Sequence, residues 1–262
     1  MSVLVIGASS DLGSRIVAAL QSRDVPVRPF SRTPVPEGVV GDLSDPASLD
    51  RALRGVTRVF LQSSPVQRQV ALETNAIEAA EGAGVERIVK LSNIPVAGLE
   101  TGLHGNHRAI ERRLSSSPVA SVFVQPSFFS TVLQKQADQL AQGRMIMPAG
   151  RGKIAWIDPV DIASVAVEAL VRDDLSGPLH ITGPEALDAA DVADRLGVQL
   201  VEPPIEQWHT AVVAGGLDPW LAESTVHLYR AIARGALAEV TDTVERVTGR
   251  APRRVFVPDA AG

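Results

Sequence analysis

Residues 7–13, GASSDLG, have the types and spacing that can hold a phosphate group. They follow the apolar run Val3 to Ile6 and precede a stretch with helical spacing, so the expected order is strand, turn, helix. A helix that begins at such a turn presents unpaired N–H groups and a partial positive charge to an anion. We interpret the turn as a pyrophosphate site, and a turn of this kind without a ligand is the alternative. The predicted contact residues are Gly7, Ala8, Ser9, Ser10, Asp11, Leu12 and Gly13.

Two residues of this turn depart from the glycine-rich form. Gly7 still permits the tight turn and Gly13 still permits close packing of helix on strand. Ser10 adds a Cβ where the backbone approaches a phosphate, although its hydroxyl offsets part of that loss by donating to a phosphate oxygen. Asp11 places a carboxylate at the helix start, where it can cap N–H groups but repels a pyrophosphate unless it turns toward solvent. We therefore expect a weakened but working site.

The second apolar run, Pro26 to Phe30, is followed by Arg32. An acidic residue at this place accepts hydrogen bonds from an adenine-ribose 2′-hydroxyl, whereas an arginine can bind a 2′-phosphate. No Asp or Glu occurs at positions 29–34. Arg32 therefore favours NADP(H) as the cofactor over NAD(H), and a solvated loop arginine is the alternative.

Apolar runs alternate with segments of helical spacing through the first 145 residues. This alternation predicts parallel strands buried on both faces and helices packed on the sheet. The predicted strands are Val3 to Ile6, Pro26 to Phe30, Arg58 to Leu61, Arg87 to Leu91 and Ala120 to Gln125. The predicted helices are Gly13 to Ser22, Ser48 to Leu53, Val66 to Ala83 and Gly105 to Ser115. We expect an α/β fold with a doubly wound parallel sheet of the Rossmann type, in which Ser44 caps the second helix.

The chain changes character after Pro148. The remaining predicted elements are extended segments at Ile154 to Val160 and Leu179 to Thr182, a helix at Ile162 to Leu170, and a mostly helical stretch at residues 189–248. We assign residues 1–147 to a dinucleotide-binding domain and residues 148–262 to a smaller, mainly helical substrate region that forms the far wall of the pocket. The strand near residues 179–182 is a candidate to return to the main sheet.

Composition limits the partners of the chain. A formal net charge of −5 without clustered Lys and Arg argues against a nucleic-acid surface. No apolar run approaches the roughly 20 residues that span a membrane, and the first residues, which lack a basic segment and a long apolar segment, are not expected to act as a signal peptide. The absence of cysteine excludes disulfides and thiol chemistry and fits a reducing compartment. We expect a soluble, cytoplasmic monomer or homodimer that acts on a small molecule and binds neither nucleic acid nor membrane.

No metal site is predicted, because the histidines outside residues 104–107 lie on separate elements: His180, His209 and His227.

Further motifs occur in a fixed order along nearly the whole chain. They are VLVIGASSDLGSRIVAAL, VRPFSRTP, GDLSDPASLDRALRGVTRVFL, NAIEAAEGAGVERIVKLS, HRAIERRL, VQPSFFSTVL, WIDPVDIASVAVEAL and EVTDTVERVTGRAPRRV. In these motifs and in their order, the chain resembles the NmrA-like family of the atypical short-chain dehydrogenase/reductase superfamily. Within that family it is similar to the group of NAD(P)H-dependent quinone and azo reductases and ergot-alkaloid-type oxidoreductases.

The resemblance implies roles for residues outside the first turn. It implies that Arg32 selects NADP(H) and that Asp42 and Leu43 contact the adenine. It also implies that three later strand ends line the ribose and the nicotinamide. Those residues are Gln62, Ser63 and Ser64, then Ser92, then Pro126, Ser127 and Phe128.

The superfamily's proton-donating pair, a Tyr and a Lys spaced Y-x-x-x-K, is missing from the corresponding helix. The segment HGNHRAIE puts His104 at the Tyr position and Arg108 at the Lys position, with His107 one residue earlier. An imidazole is the only candidate there for proton transfer near neutral pH, and Arg108 could steady a ribose or substrate oxygen. Solvated or capping histidines are the alternative. Tyr229, the sole tyrosine, lies far along the chain and is expected to pack there.

Two functions fit these observations. The first is NADPH-dependent hydride transfer to a small quinone, azo, imine or enone-like acceptor, which requires no tyrosine. The alternative is a non-catalytic regulatory protein that senses NADP(H). Trp208, Leu217, Trp220 and Leu221 offer apolar surface that forms either a pocket for a flat acceptor or ordinary core.

Overall fold

The computed structural model describes residues 1–256. The strands are β1 (Val3–Ile6), β2 (Val27–Ser31), β3 (Val39–Val40), β4 (Arg58–Leu61), β5 (Arg87–Leu91), β6 (Ala120–Pro126), β7 (Phe128–Phe129), β8 (Arg144–Ile146), β9 (Trp156–Ile157), β10 (Gly177–Ile181) and β11 (Gln199–Val201). The α-helices are α1 (Asp11–Gln21), α2 (Pro46–Leu53), α3 (Gln69–Gly82), α4 (Gly102–Ser115), α5 (Ala137–Ala141), α6 (Pro159–Val171), α7 (Ala189–Leu196), α8 (Ile205–Ala214), α9 (Pro219–Ala233) and α10 (Thr243–Thr248). A 3-10 helix covers Ser130–Gln136.

Seven strands form the central sheet, in the order β10-β6-β5-β4-β1-β2-β3. The neighbouring pairs from β3 to β6 are all parallel. The chain runs outward from β1 through β2 to β3, then returns to β4 and runs outward in the other direction. The carboxyl ends of β1 and β4 therefore flank the topological switch point, where dinucleotides bind in sheets of this kind. The predicted doubly wound parallel α/β fold is confirmed.

Burial explains why these segments form the sheet and its helices. Every residue of β1 and β4 is buried, as expected for parallel strands covered on both faces. α1 buries Leu12, Ile16 and Leu20, which recur at the spacing of one helix face. Each such side chain contributes about 1.5–3 kcal/mol when it leaves water, so this face holds α1 in place. The start of α1 is thereby fixed at the end of β1.

The chain divides into two compact units. The first comprises Met1–Asn93, Gly105–Gln125 and Ile162–Leu179, and the second comprises Ile94–His104, Pro126–Asp161 and the chain from His180. The core of the second unit contains Trp156, whose ring meets Phe128 and Phe256 edge-on, each at a centroid distance of 5.1 Å. The predicted division of the chain at residue 147 stays a prediction.

The start of α2 differs from the expectation by one residue. Asp45 is the N-cap and its side chain accepts the Ala47 N–H at 3.0 Å, with Pro46 in the first turn. The prediction of Ser44 as the cap was wrong. Ser and Asp are almost equally favoured at this position, so the sequence pattern could not separate two adjacent candidates.

α6 also begins earlier than expected, at Pro159 instead of Ile162. Asp158 accepts the Val160 N–H at 2.7 Å, and proline is tolerated in a first helical turn. The short strands β3, β7, β8 and β11 were not predicted, because two or three residues show no periodic pattern.

Within residues 1–256, none of the helices combines the length and the apolar composition that a bilayer crossing requires.

Among residues 1–256, no group of three or more His, Asp or Glu side chains is arranged to hold a metal ion. His227 and His209 approach Glu223 at 3.1 and 3.8 Å, so one carboxylate faces imidazoles from both α8 and α9.

Candidate functional site

The turn between β1 and α1 has a backbone that requires its two glycines. Gly7 has a φ of +82°, a left-handed value that favours glycine. A Cβ on Gly13 would lie 2.2 Å from the Gly7 carbonyl oxygen, so α1 packs directly against the turn. The amides of Gly7 and Ala8 donate to the Phe30 carbonyl at 3.0 and 3.1 Å, which ties the turn to β2. The close helix-to-strand packing expected at Gly13 is therefore present.

Three N–H groups of this turn donate to no other group of residues 1–256: those of Ser9, Asp11 and Leu12. Ser10 caps the helix, because its Oγ accepts the Gly13 N–H at 2.9 Å. The unpaired donors lie at the amino end of α1, where the helix dipole favours an anion. The turn can therefore hold a phosphate group with donors that are already in place.

The Asp11 carboxylate is exposed and bound to a side chain of α1. It pairs with Arg15 at 2.9 Å, one turn further along α1, and both side chains are exposed. Asp11 thus caps no N–H group, and its charge is partly neutralised in high dielectric. This arrangement weakens the repulsion that Asp11 was expected to exert on a pyrophosphate.

Gln62, the residue after β4, joins the two strand ends of the switch point. Its buried side-chain amide donates to the Gly7 carbonyl oxygen at 3.0 Å and also to Ser10 Oγ. Ser63 Oγ donates to Glu73 at 2.7 Å, whereas Ser64 is exposed. The structure therefore brings the predicted segments after β1 and β4 together within the first unit.

Arg32 follows β2 and is exposed, and the guanidinium has no hydrogen bond or ion pair to another group of residues 1–256. Its charge and that of Arg68 act on the Asp42 carboxylate. The Ser44 hydroxyl and amide donate to that carboxylate at 2.6 and 2.7 Å. These bonds, followed by the two arginines, hold the pKa of the Asp42 carboxyl below its usual value. Leu43 is buried.

Arg108 ties α4 to the end of β5. Its Nη2 donates to Ser92 Oγ at 2.9 Å and to the Asn93 carbonyl oxygen at 2.6 Å, and it pairs with Glu111 at 2.9 Å. Ser92 is buried. One guanidinium nitrogen is thus committed to positioning the strand end, and the predicted role of Arg108 toward a ribose or a substrate stays a prediction.

His104 and His107 are buried on α4, with exposed fractions of 8% and 9%. This burial argues against the alternative of solvated histidines. His107 Nδ1 lies 3.4 Å from Lys90 Nζ, and Lys90 forms an ion pair with Glu73 at 3.0 Å. Neither Lys90 nor Glu73 was predicted from the sequence as part of the site. The available signal was a lysine inside the apolar strand RIVKL, because a buried ammonium requires a compensating anion.

The residues after β5 and β6 that belong to the second unit have structural contacts there. The Pro126 carbonyl oxygen accepts the Ile94 N–H at 3.0 Å, and the Ser127 N–H donates to Ile181 at 3.0 Å. The Ser127 hydroxyl donates to the Ala155 carbonyl. Phe128 packs in the core. The predicted cofactor contacts of these residues stay predictions.

Tyr229 packs as expected. Its ring meets Trp208 edge-on at 5.1 Å, and burial raises the pKa of Tyr229 to about 12. A buried phenol with a raised pKa is a poor proton donor. Leu217, Trp220 and Leu221 are half-buried in the same unit.

Comparison with known proteins agrees with this geometry. The sequence profile of the NAD(P)H-binding family matches residues 7–173. The chain is 34% identical to an NAD(P)H azoreductase of Xenophilus azovorans, over 97% of this chain and 95% of the relative. It is 33% identical to a (4-alkanoyl-5-oxo-2,5-dihydrofuran-3-yl)methyl phosphate reductase of Streptomyces griseus, with the same coverage of 97% and 95%.

Solved structures share the fold at lower identity. The NADPH-dependent quinone oxidoreductase of Escherichia coli, complexed with NADPH, superposes with a TM-score of 0.84 at 23% identity, over 97% of both chains. The triphenylmethane reductase of Citrobacter sp., complexed with NADP(H), superposes with a TM-score of 0.83 at 19% identity, over 98% of both chains. With the family match and the dinucleotide-type turn, the chain belongs to the NAD(P)H-binding family, in the NmrA-like group that its motifs indicated, and is an NAD(P)H-binding oxidoreductase.

Proposed function

We propose that the protein transfers a hydride from NADPH to a small, flat quinone, azo or imine/enone-like acceptor. The observation that carries the proposal is the set of unpaired N–H groups of Ser9, Asp11 and Leu12 at the amino end of α1. They lie beside Gln62, at the switch point of the sheet. A pyrophosphate fits these donors because it is an anion that accepts several N–H groups at once.

The preference for NADPH over NADH rests on Arg32. This guanidinium is exposed and makes no ion pair within residues 1–256, so a 2′-phosphate would not have to displace a partner. An arginine fork binds phosphate oxygens with charge-assisted hydrogen bonds. Arg68 supports the same role, since its charge reaches the Asp42 carboxylate together with that of Arg32.

The class of acceptor is supported by the relatives and by the second unit. The relatives named above include an azoreductase, and the fold neighbours include a quinone oxidoreductase and a triphenylmethane reductase. Trp208, Leu217, Trp220 and Leu221 leave part of their apolar surface exposed. Flat conjugated molecules stack on such surfaces.

Proton supply falls to the imidazoles of α4. The nicotinamide supplies the hydride when it is bound, and the reduced acceptor then carries negative charge that a proton must neutralise. His107 and His104 are the buried imidazoles of this helix, and Arg108 holds the end of β5 against it. The chain without cysteine fits a reducing cytoplasm as its place of action.

An assay of NADPH oxidation across quinones, azo dyes and enones tests the proposal. His107→Gln and His104→Gln are each expected to slow reduction of an acceptor that needs a proton, by up to about a hundredfold, without changing NADPH affinity. His227→Gln on α9 is the matched control and should leave the rate unchanged. Binding of NADPH without oxidation by any acceptor would contradict the proposal and favour a sensor of NADP(H).

A further inference from the structure

Two opposite charges are enclosed in the first unit. Lys90 on β5 and Glu73 on α3 are both 0% exposed and lie 3.0 Å apart. The other carboxylate oxygen of Glu73 accepts from Ser63 Oγ at 2.7 Å and from Gln69 Nε2 at 3.1 Å. Desolvation of both ions opposes folding, and apolar residues of similar volume would often be as stable. Stability alone therefore does not explain why Lys90 and Glu73 occupy these buried positions.

The third member of the cluster is His107. Its Nδ1 lies 3.4 Å from Lys90 Nζ, a long hydrogen bond between buried groups. An ammonium has three donors and no acceptor, so Nδ1 must be the accepting nitrogen. A neutral imidazole has one proton, which then resides on Nε2. The contact with Lys90 thus selects one tautomer of the ring.

We propose that the Glu73–Lys90 pair positions His107 as the Nε2–H tautomer and supplies the proton that His107 passes on. When the anion of a reduced acceptor takes the proton from Nε2, Nδ1 takes one from Lys90 Nζ. His107 stays neutral, and Lys90 becomes a neutral amine beside the Glu73 carboxylate. Before the next turnover Nε2 takes a proton from water, and Nδ1 returns its proton to Lys90, which restores the ammonium and the Nε2–H tautomer. The catalytic consequence rests on the proposed oxidoreductase function, whereas the tautomer does not.

The electrostatic surroundings suit this relay. Burial lowers the pKa of Lys90, and the Glu73 carboxylate opposes that shift. Glu111 on α4 also favours the ammonium, whereas Arg108 on the same helix disfavours it. A lysine whose pKa is lowered gives up a proton more readily than an exposed one. Without Lys90, proton loss from Nε2 would leave an imidazolate, which is far too basic to form.

The variants must remove the pair without leaving one buried charge. Lys90→Met alone would strand the Glu73 carboxylate in the core, which destabilises strongly. We therefore combine Lys90→Met with Glu73→Gln, which keeps both side-chain lengths and removes both charges. The matched control is Arg113→Met with Glu81→Gln, because Arg113 on α4 pairs with Glu81 on α3 at 2.7 Å, away from His107.

Heteronuclear NMR of the ring nitrogens tests the tautomer in the full-length protein. The chain has five histidines, and the signal of His107 is assigned by its loss in His107→Gln. We expect the parent and the Arg113/Glu81 control to show His107 with the proton on Nε2, and the Lys90/Glu73 variant to show a changed tautomer ratio. A proton on Nδ1 in the parent overturns the proposal, whether or not the double variant folds. An unchanged tautomer in the Lys90/Glu73 variant overturns it as well.

Turnover separates this proposal from the function on which it rests. With an acceptor that needs a proton, kcat of the Lys90/Glu73 variant should fall by about a hundredfold while KM for NADPH stays constant. In the parent, loss of the Lys90 ammonium should lower kcat as pH rises. The pH profile of the Lys90/Glu73 variant should lack this decrease. A normal kcat with a normal pH profile refutes the relay alone. Absence of turnover in the parent itself refutes the oxidoreductase function, and the NMR result still decides the tautomer.

Discussion

At the scale of single residues, Arg32 carries the proposed choice of cofactor. Its unpaired guanidinium can form charge-assisted hydrogen bonds to a 2′-phosphate, each worth about 1.5–3 kcal/mol. Arg32→Ala should therefore weaken NADPH binding by roughly ten- to a hundredfold and leave NADH binding nearly unchanged. Isothermal titration calorimetry with both cofactors measures this difference.

The control for Arg32 is a second exposed arginine at the other end of the strands. Arg54 follows the last residue of α2 and precedes the start of β4, whereas Arg32 follows the end of β2. Arg54→Ala therefore removes one positive charge at the opposite end of the strands. It should change neither affinity. An equal loss of NADPH and NADH in Arg32→Ala would mean that Arg32 supports the fold and does not select the cofactor.

Asp11 is the second residue whose charge bears on the cofactor. Its carboxylate pairs with Arg15 at the surface, so repulsion of a pyrophosphate is screened to about 1 kcal/mol or less. We expect Asp11→Asn to tighten NADPH binding several-fold at low salt and less at moderate salt. Titration at two ionic strengths measures it, with Asp50→Asn on α2 as the control. Weaker binding in Asp11→Asn would show that the carboxylate supports the turn.

At the scale of elements, the contact between α1 and the first turn depends on Gly13. A Cβ there would meet the Gly7 carbonyl oxygen at 2.2 Å, so Gly13→Ala must displace the helix start from the strand. We expect a loss of about 1–3 kcal/mol in stability, together with a loss of NADPH affinity. Thermal unfolding with and without NADPH measures both.

Gly82→Ala is the matched comparison for Gly13→Ala. Gly82 is the last residue of α3, and a Cβ added there meets no atom within 4 Å. It should stabilise the protein by about 0.5–1 kcal/mol, because alanine favours a helix more than glycine does. If the two substitutions had the same effect, the close approach of α1 to the turn would be irrelevant.

α6 carries a buried carboxylate that makes stability depend on pH. Asp161 accepts the Arg253 N–H at 2.6 Å, and burial raises the pKa of the Asp161 carboxyl. Because this pKa is higher in the folded state, protonation of Asp161 favours folding. The resulting stability is fully present below the unfolded pKa of about 3.9 and is lost as pH rises through the folded pKa. Asp161→Asn lacks this loss, because its neutral amide oxygen still accepts the N–H.

The expected result is that the melting temperature of Asp161→Asn, relative to the parent, increases as pH rises through the mildly acidic range. Differential scanning calorimetry across that range measures the trend. A difference that is constant or decreases with pH would mean that the charged carboxylate is at least as stable in the fold as in water.

Also at the scale of elements, the predictability of structure followed the length of the pattern. The strands Val3–Ile6, Arg58–Leu61 and Arg87–Leu91 match their predicted bounds, because each is a buried apolar run between clear breaks. The cap of α2 was misplaced by one residue, since Ser44 and Asp45 compete on nearly equal terms. Short pairings such as β7 with β9 depend on tertiary contacts that no local pattern contains.

At the scale of the whole molecule, the candidate site combines predictable and unpredictable parts. The turn and Arg32 could be proposed from the sequence, because phosphate recognition uses local backbone at strand ends. The Glu73–Lys90 pair was not found, because Glu73 lies on α3 and Lys90 on β5, and only the packing of that helix on the sheet brings them within 3.0 Å. A local motif can therefore indicate a phosphate site from the sequence. The buried pair beside His107 can be recognised only once the packing of α3 on β5 is known.

The most direct test of the account is a single turnover of enzyme-bound NADPH with a quinone, followed through the nicotinamide absorbance with ordinary and with C4-deuterated cofactor. We predict that the absorbance decays as the quinone is reduced and that deuterium at the transferred position slows the decay. Hydride transfer is then the step observed. A bound nicotinamide whose absorbance persists with every acceptor, or a decay that is insensitive to deuterium and to Arg32→Ala alike, would contradict the account.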